Sequence, residues 1–287
     1  MTMRAKKVLG QNFLNDPMIL ERIVGEMDLK EDDVVVEVGP GKGSLTRLIL
    51  SRVKKLIAVE KDERLADWLS SELVKWEGEV QNTNDEIRMT KYKRRSTRNE
   101  VQKTNSKGQG KKEDEEIFEL RTGDILKYQP PQTSYKLVGN IPYYLTSPLL
   151  RKFLGQEKNK PALIVFLVQK EVAQKICADP GEMSLLSLGV QAWGKPKFCF
   201  EVKRHFFNPV PKVDSAVVKI QIYSDCVWQK PKEVLRLAQI CFSQKRKKLR
   251  NSLRALLKDG KIDFNLEQRP QELGVKEWER LYEKISN

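Results

Sequence analysis

From Asp33 onward short, wholly apolar runs alternate with stretches of helical period, and no other property of the sequence restricts the fold as strongly. VVVEVG (34–39) and KLIAVE (55–60) read as strands. SLTRLILSR (44–52), with Leu45, Leu48 and Ile49 at helical spacing, and ERLADWLSSELVKW (63–76) read as the helices that follow them. IFELRTGD (117–124), YKLVGN (135–140) and ALIVFLV (162–168) supply three more strands, and EVAQKI (171–176) opens another helix. Strands that alternate with helices imply a parallel sheet covered on both faces. KFCFEVK (197–203) and SAVVKIQIY (215–223), joined through Pro209 and Pro211, are close enough in sequence to form an antiparallel hairpin at one edge. Beyond Ser224 the texture turns helical, with apolar residues at Val234, Leu237, Ala238 and Cys241, then Leu249, Leu253 and Leu256. The expectation is an α/β domain over 1–224 and a small helical domain over 225–287.

One segment does not fit a compact fold. Residues 77–117 hold only six apolar side chains in 41, and from Arg88 to Lys112 they carry ten basic groups and one acidic group between acidic flanks. Such a composition cannot bury enough apolar surface to offset chain entropy, so the segment reads as a largely disordered insertion. It is either an RNA-contacting arm or a solvated charged loop. The whole chain of 287 residues has a formal net charge of +14, and its distribution says more than its size. Residues 1–76 carry 13 basic and 13 acidic side chains, and 77–117 carry 10 and 9. The surplus lies in 118–224, with 15 against 8, and in 225–287, with 15 against 9. A positive second half suits a polyanion, because each neutralised phosphate releases condensed counterions. The competing reading is a basic protein whose charge serves solubility alone.

Other classes are disfavoured. The four cysteines lie 22, 27 and 15 residues apart with no C-x-x-C pair, and there is one His, so neither a zinc site nor a disulfide framework is expected. The longest apolar run, 162–168, is far short of the ~20 residues that span a bilayer. No continuous apolar stretch near the N-terminus resembles a signal peptide. A reducing, cytoplasmic setting is the expectation.

Two motifs carry chemistry. Glu37-Val-Gly39-Pro-Gly41-Lys-Gly43 follows the first strand of the alternation, where glycines let the backbone approach a ligand at the carboxyl edge of an open α/β sheet. It is not G-x-G-x-x-G, so no pyrophosphate cradle is indicated. Glu60, 23 residues after Glu37 at the end of the next strand, can accept hydrogen bonds from both hydroxyls of a ribose. Asp124, ending the third strand, is placed to take an adenine amino group of the same nucleoside cofactor. The alternative for Glu60 is an ordinary acid at a strand end.

The second motif is Asn140-Ile141-Pro142-Tyr143, also at a strand's carboxyl end. The amino nitrogen of adenine is a poor nucleophile because its lone pair is delocalised into the ring. Asn140 Oδ1 and the Ile141 carbonyl can both accept from that NH2, localising the lone pair and aiming it at an electrophile, while Tyr143 can stack on a flipped base. No strong general base is required. Read structurally, the same tetrapeptide is a turn, since Asn and Pro mark turns.

Gly10-Gln-Asn12-Phe-Leu14-Asn-Asp16, EVGPGKGSLT (37–46), VEKD (59–62), GD (123–124), VGNIPYYLTSPLL (138–150), FFNPVPKVDSAV (206–217) and FSQKRKKLRNSL (242–253) stand in an order seen in one family. The chain resembles the KsgA/Dim1 ribosomal RNA adenine N6-dimethyltransferases over nearly its whole length, the 77–117 insertion excepted. The resemblance implies a Rossmann-like class I methyltransferase sheet, mostly parallel with one antiparallel edge hairpin, and a small C-terminal helical domain that binds RNA. It implies S-adenosylmethionine as methyl donor, with Asn12, Leu14, Gly39, Glu60, Asp124 and Asn140 lining its site. It implies further that Tyr143 and Phe207 flank the target base. Two adjacent adenosines near the 3′ end of small-subunit rRNA would each receive two methyl groups, in the course of ribosome biogenesis. A monomer without metal is expected. Lys245, Arg246, Lys247, Lys248 and Arg250, with Arg254 one turn on, interleave with Leu249 and Leu253, so a helix there would show one face to the core and a basic face to phosphates. His205, between Arg204 and Phe206, reads as structural or surface.

Two rivals remain. An Erm-type large-subunit rRNA methyltransferase shares the glycine loop and the NIPY-like motif, but KRKKLRN and PVPKVDSAV favour the small-subunit branch. A ribosome-assembly or transcription factor keeping the fold as a binding module has no need of Glu60, Asp124 and NIPY.

Overall fold

The computed structural model describes residues 6, 10–80, 92–96, 117–257 and 262–286. The first half runs β1 (Phe13–Leu14), α1 (Pro17–Gly25), β2 (Val34–Val38), α2 (Ser44–Leu50), β3 (Lys55–Glu60), α3 (Glu63–Val80), β4 (Tyr92–Ser96), β5 (Phe118–Thr122), β6 (Lys136–Asn140) and α4 (Thr146–Leu150). The second half runs β7 (Leu163–Gln169), α5 (Lys170–Ile176), α6 (Leu185–Gln191), β8 (Gly194–Val202), β9 (Phe207–Asn208), β10 (Ser215–Ile222), α7 (Pro231–Phe242), α8 (Leu249–Ser252) and α9 (Val275–Ser286).

The main sheet has the order β4-β5-β3-β2-β6-β7-β10-β8. Strands β4 to β7 are parallel, whereas β10 pairs antiparallel with both β7 and β8, so the expected hairpin closes one edge. Because side chains alternate across a strand, neighbouring residues of each central strand enter opposite layers. Val35, Leu56, Leu120 and Val138 pack with α1, α2 and α3 on one face. Val36, Ile57, Leu137 and Ile164 pack with α4 and α5 on the other. This two-sided burial is why these strands are largely apolar, the buried Glu37 of β2 and Glu119 of β5 being exceptions, and each fully buried aliphatic side chain contributes roughly 1.5–3 kcal/mol. A third cluster joins α6 to α7 and α9 around the fully buried Trp278.

Two sequence expectations change. Within the 77–117 segment, α3 reaches Val80 and β4 adds a strand parallel to β5, while 81–91 and 97–116 lie outside the described residues. The stretch 242–253 is not one helix. Helix α7 ends at Phe242 and α8 begins at Leu249 after a turn. The amides of Leu249 and Arg250 donate to the carbonyls of Gln268 (2.8 Å) and Leu266 (3.1 Å), bonds a continuous helix would have spent on its preceding turn. In a helical register Lys245 with Lys248 (i,i+3) and Arg246 with Arg250 (i,i+4) would also set like charges side by side. Among the described residues no helix is long and apolar enough to cross a membrane.

Candidate active site

A cleft of about 1080 Å3, its open mouth included, lies over the carboxyl ends of β2, β3, β5 and β6. Gly39, Glu60, Asp124, Asn140, Ile141, Pro142 and Tyr143 line it, together with Asn12, Leu14 and Phe207. Strand ends of a parallel sheet gather residues remote in sequence at one rim, and that places both motifs in a single cavity.

The glycine loop turns sharply between β2 and α2. Gly39 (φ +63°) and Gly41 (φ +58°) occupy the left-handed region, and a Cβ on Gly41 would lie 3.1 Å from the Phe13 ring. The loop holds Glu60 from above: the Gly41 amide donates to Oε2 (3.1 Å) and the Asp62 amide to Oε1 (2.8 Å). Glu60 is therefore fixed in orientation although almost fully buried, and burial raises its pKa. Glu37, fully buried one strand away, accepts a hydrogen bond from Thr46 Oγ1 (2.8 Å). Burial pushes its pKa up to about 7, the Thr46 bond opposes that, and the charge of Glu60 adds to it. Two desolvated carboxylates beside one cleft make it favourable for a cationic ligand.

Asp124 sits half-buried at the end of β5, where Oδ1 accepts from the Leu126 amide (2.9 Å) and Oδ2 from Lys61 Nζ (3.0 Å). Lys61 and the Leu126 amide hold its carboxyl below the ordinary range, against the effect of burial, which is the largest influence and acts in the opposite direction. Asn140 ends β6, and its Nδ2 donates to the Asn12 carbonyl (2.8 Å). A carbonyl can only accept, so the amide nitrogen must face it, which turns Oδ1 the other way. The Ile141 amide bonds the Leu167 carbonyl (3.0 Å), holding the buried Ile141 at the strand end. Tyr143 anchors its hydroxyl on Ser215 Oγ (3.0 Å) at the start of β10, and burial raises its pKa.

The N-terminal segment crosses this rim as a strap. Gly10 lies against Pro142 and Tyr144, and Phe13 lies against Gly41. Leu14 pairs with Phe207, and Phe13 with Asn208, in the two-stranded β1–β9 sheet. Phe207 is only 3% exposed and packs in the core cluster of α1 and α2, so it forms a fixed wall of the cleft rather than a mobile flap.

Lys245, Arg246, Lys247 and Arg254 are exposed, whereas Lys248 and Arg250 both pair with Glu267, at 2.7 and 2.8 Å. His205 is exposed with its ring 4.2 Å from that of Phe206, away from the residues lining the cleft. Sequence reasoning gave no role to Gln11, Asp62 or Ser215. Each stands inside a motif quoted above, but its partner lies tens of residues away, so spacing alone could not expose it.

The site fits an S-adenosyl group. A fixed carboxyl group at the end of β3 suits a vicinal diol, the glycine loop admits close backbone approach, and the two buried carboxyls, which a nearby cation would help to ionise, suit a sulfonium and an α-ammonium. Fold and site together define a class I, S-adenosylmethionine-dependent methyltransferase. The family described as ribosomal RNA adenine dimethylase matches residues 2–284. A ribosomal RNA small subunit methyltransferase A from Dehalococcoides mccartyi is 36% identical, covering 98% of this chain and 88% of the relative. Its namesake from Maridesulfovibrio salexigens is 30% identical, covering 99% and 97%. The chain belongs to the ribosomal RNA adenine dimethylase family. Among solved structures, a dimethyladenosine transferase from Plasmodium falciparum superposes with a TM-score of 0.72 at 24% identity, covering 96% of this chain and 98% of that one. The 23S rRNA methyltransferase ErmE gives 0.71 at 23%, covering 96% and 100%. These two likenesses concern the fold alone.

Proposed function

We propose that this enzyme transfers methyl groups from S-adenosylmethionine to N6 of two adjacent adenosines near the 3′ end of small-subunit rRNA, giving N6,N6-dimethyladenosine. The observation that carries the reading is the amide of Asn140, turned by the Asn12 carbonyl so that an acceptor without a proton of its own faces away from the strap. Identity to relatives named for the small subunit favours that branch over the large-subunit one.

The cofactor supplies an electrophilic methyl group on a sulfonium. Glu60 and Asp124 would hold its ribose and adenine, and Asn12, Leu14 and Gly39 would enclose it. In the first transfer Asn140 Oδ1 and the Ile141 carbonyl accept the two N–H bonds of the target amino group, drawing the nitrogen lone pair out of the ring; in the second the one remaining N–H is accepted in the same way. Pro142 fixes the turn that carries the Ile141 carbonyl. Tyr143, held by Ser215, and Phe207 bracket the base, so that catalysis rests on positioning. N6 loses its proton after attack, when the nitrogen is cationic and acidic, and water is a sufficient acceptor.

The residues from 225 onward act as an RNA-binding domain, with Lys245, Arg246, Lys247, Lys248, Arg250 and Arg254 on phosphates of the small-subunit rRNA. The enzyme works as a monomer in the cytoplasm during small-subunit biogenesis. Mapping methylated adenosines in immature small subunits and, separately, in large subunits after incubation with protein and cofactor tests this. Dimethylation of two neighbouring adenosines near the small-subunit 3′ end is expected. Modification of large-subunit RNA alone overturns it.

A further inference from the structure

Asp62 follows β3 by two residues, and its side chain is wholly buried. Gln11 Nε2 donates to Oδ2 (3.2 Å) and Lys6 Nζ to Oδ1 (3.1 Å), while Arg64 reaches both oxygens from Nε (3.2 Å) and Nη2 (2.8 Å). Gln11 is itself oriented, because its Oε1 accepts the Lys6 amide (2.7 Å). A buried carboxylate thus collects donors from the start of the chain and from the first turn of α3. Two of its partners belong to the strap, 51 and 56 residues away in sequence.

The residue after Gln11 is Asn12, whose carbonyl fixes the amide of Asn140. Glu60 shares the same short loop with Asp62 and accepts its amide. We infer that Asp62 is a positioning residue which fastens the N-terminal strap over the cofactor cleft and, through Gln11 and the Asn12 carbonyl, sets the orientation of Asn140. This deepens the methyl-transfer reading and rests on it. Arg64, with Gln11 and Lys6, also holds the Asp62 carboxyl well below the usual carboxylate range, so the tether stays charged across the working range of pH. Among the described residues the strap makes no other hydrogen bond to the loop after β3; its remaining contacts include Gly10 against Pro142 and Tyr144, Phe13 on Gly41 and the β1–β9 pair. Released at Asp62, its first residues lose the tie that aligns Asn12 with Asn140.

The test uses the full chain with Asp62→Asn, Gln11→Ala and the double variant. Cofactor affinity is read by calorimetry with S-adenosylmethionine, amide exchange over 10–14 and over 63–73, and single-turnover transfer at saturating cofactor. Each single variant is expected to weaken cofactor binding and to slow transfer about tenfold, the scale of one lost charge-assisted hydrogen bond. Exchange is expected to rise at 10–14 and to remain unchanged over α3. Because the two residues act through one contact, the double variant is expected to fall within about twofold of the weaker single one. Additive losses, wild-type affinity with wild-type rate, or equal loss of protection over α3 would each overturn the inference, the last reducing Asp62 to a helix cap. Gln11→Ala leaves α3 untouched, so a folding defect at Asp62 cannot masquerade as the effect. If the wild type binds cofactor yet methylates no rRNA adenosine, the functional reading fails, while calorimetry and exchange still report on the tether.

Discussion

Replacing Asn140 by Ala separates chemistry from architecture. Among the described residues its side chain makes one hydrogen bond, to the Asn12 carbonyl at 2.8 Å, from a half-buried position at the end of β6. Losing a neutral bond of this kind costs about 1 kcal/mol, which corresponds to about fivefold in cofactor affinity through a looser strap. Losing an acceptor aimed at a reacting nitrogen costs more, about 3–4 kcal/mol or two to three decades in rate, by analogy with single donors of an oxyanion hole. Asn140→Ala is therefore expected to lower single-turnover transfer at saturating cofactor by about 10²–10³ while cofactor affinity falls about fivefold and the melting temperature barely moves. Asn140→Asp provides the contrast. It keeps an acceptor but sets a carboxylate oxygen against the Asn12 carbonyl where an N–H stood, so the strap is repelled and affinity falls together with rate. The assays are tritium transfer to unmethylated small subunits and calorimetry. An Asn140→Ala enzyme within threefold of the wild-type rate, or one whose whole loss is in affinity, would refute the role given to Oδ1.

Glu37 sets a pH signature on stability. Its pKa of about 7 in the fold exceeds the ordinary 4.5, so protonation favours the folded state; that stability is fully present below pH 4.5 and is lost as pH rises through 7. Glu37→Gln keeps the neutral form at all pH values, and denaturant unfolding is expected to show it more stable than the wild type by up to about 3 kcal/mol at pH 8, the gap closing by pH 4.5. A difference that does not change with pH would refute this. Tyr143→Phe removes only the anchor on Ser215, and a roughly fivefold fall in kcat/KM is expected against a far larger one for Tyr143→Ala; equal losses would mean that the ring has no role of its own. Lys245→Ala and Arg246→Ala, at exposed positions without an acidic partner among the described residues, are each expected to lower the salt slope of rRNA binding by about one unit, with Lys248→Ala doing less because Glu267 already neutralises it. Unchanged slopes would remove the turn after α7 from the RNA face.

The charge distribution gains a physical reading from the cleft. Residues 1–76 have no net charge, and they supply the strap, the glycine loop and Glu60, where buried carboxylates suit a cationic cofactor. Among the described residues no lysine or arginine of 118–287 lines that cavity. Several of these cations are partly neutralised by neighbours, as at Glu201, which pairs with Lys170 (2.8 Å) and with Lys203, and at Glu267. These acids are already subtracted in the formal +14, so the pairs show where the surplus is locally offset and do not reduce it.

The central sheet was legible in the sequence because a strand buried on both faces is apolar at most positions, and VVVEV, KLIAVE and LIVFLVQ announce themselves that way. The site residues at strand ends were legible for a related reason: Gly39, Glu60, Asp124 and Asn140 each interrupt such a run where the chain leaves the sheet. The two-residue strands β1 and β9 were not, since no periodicity exists in two residues and their pairing spans almost the whole domain. Nor was β4, in a stretch whose charge argued against a strand, nor the break between α7 and α8, which tertiary hydrogen bonds to Leu266 and Gln268 impose. The sequence by itself determined the layer architecture and the kinds of chemical group at the rim, because burial and local backbone geometry act over a few residues. Only the tertiary structure decided how those groups are aimed. The strap, the side of Asn140 that faces its carbonyl, and the buried carboxylate of Asp62 depend on contacts 51 to 128 residues apart, which local pattern does not encode.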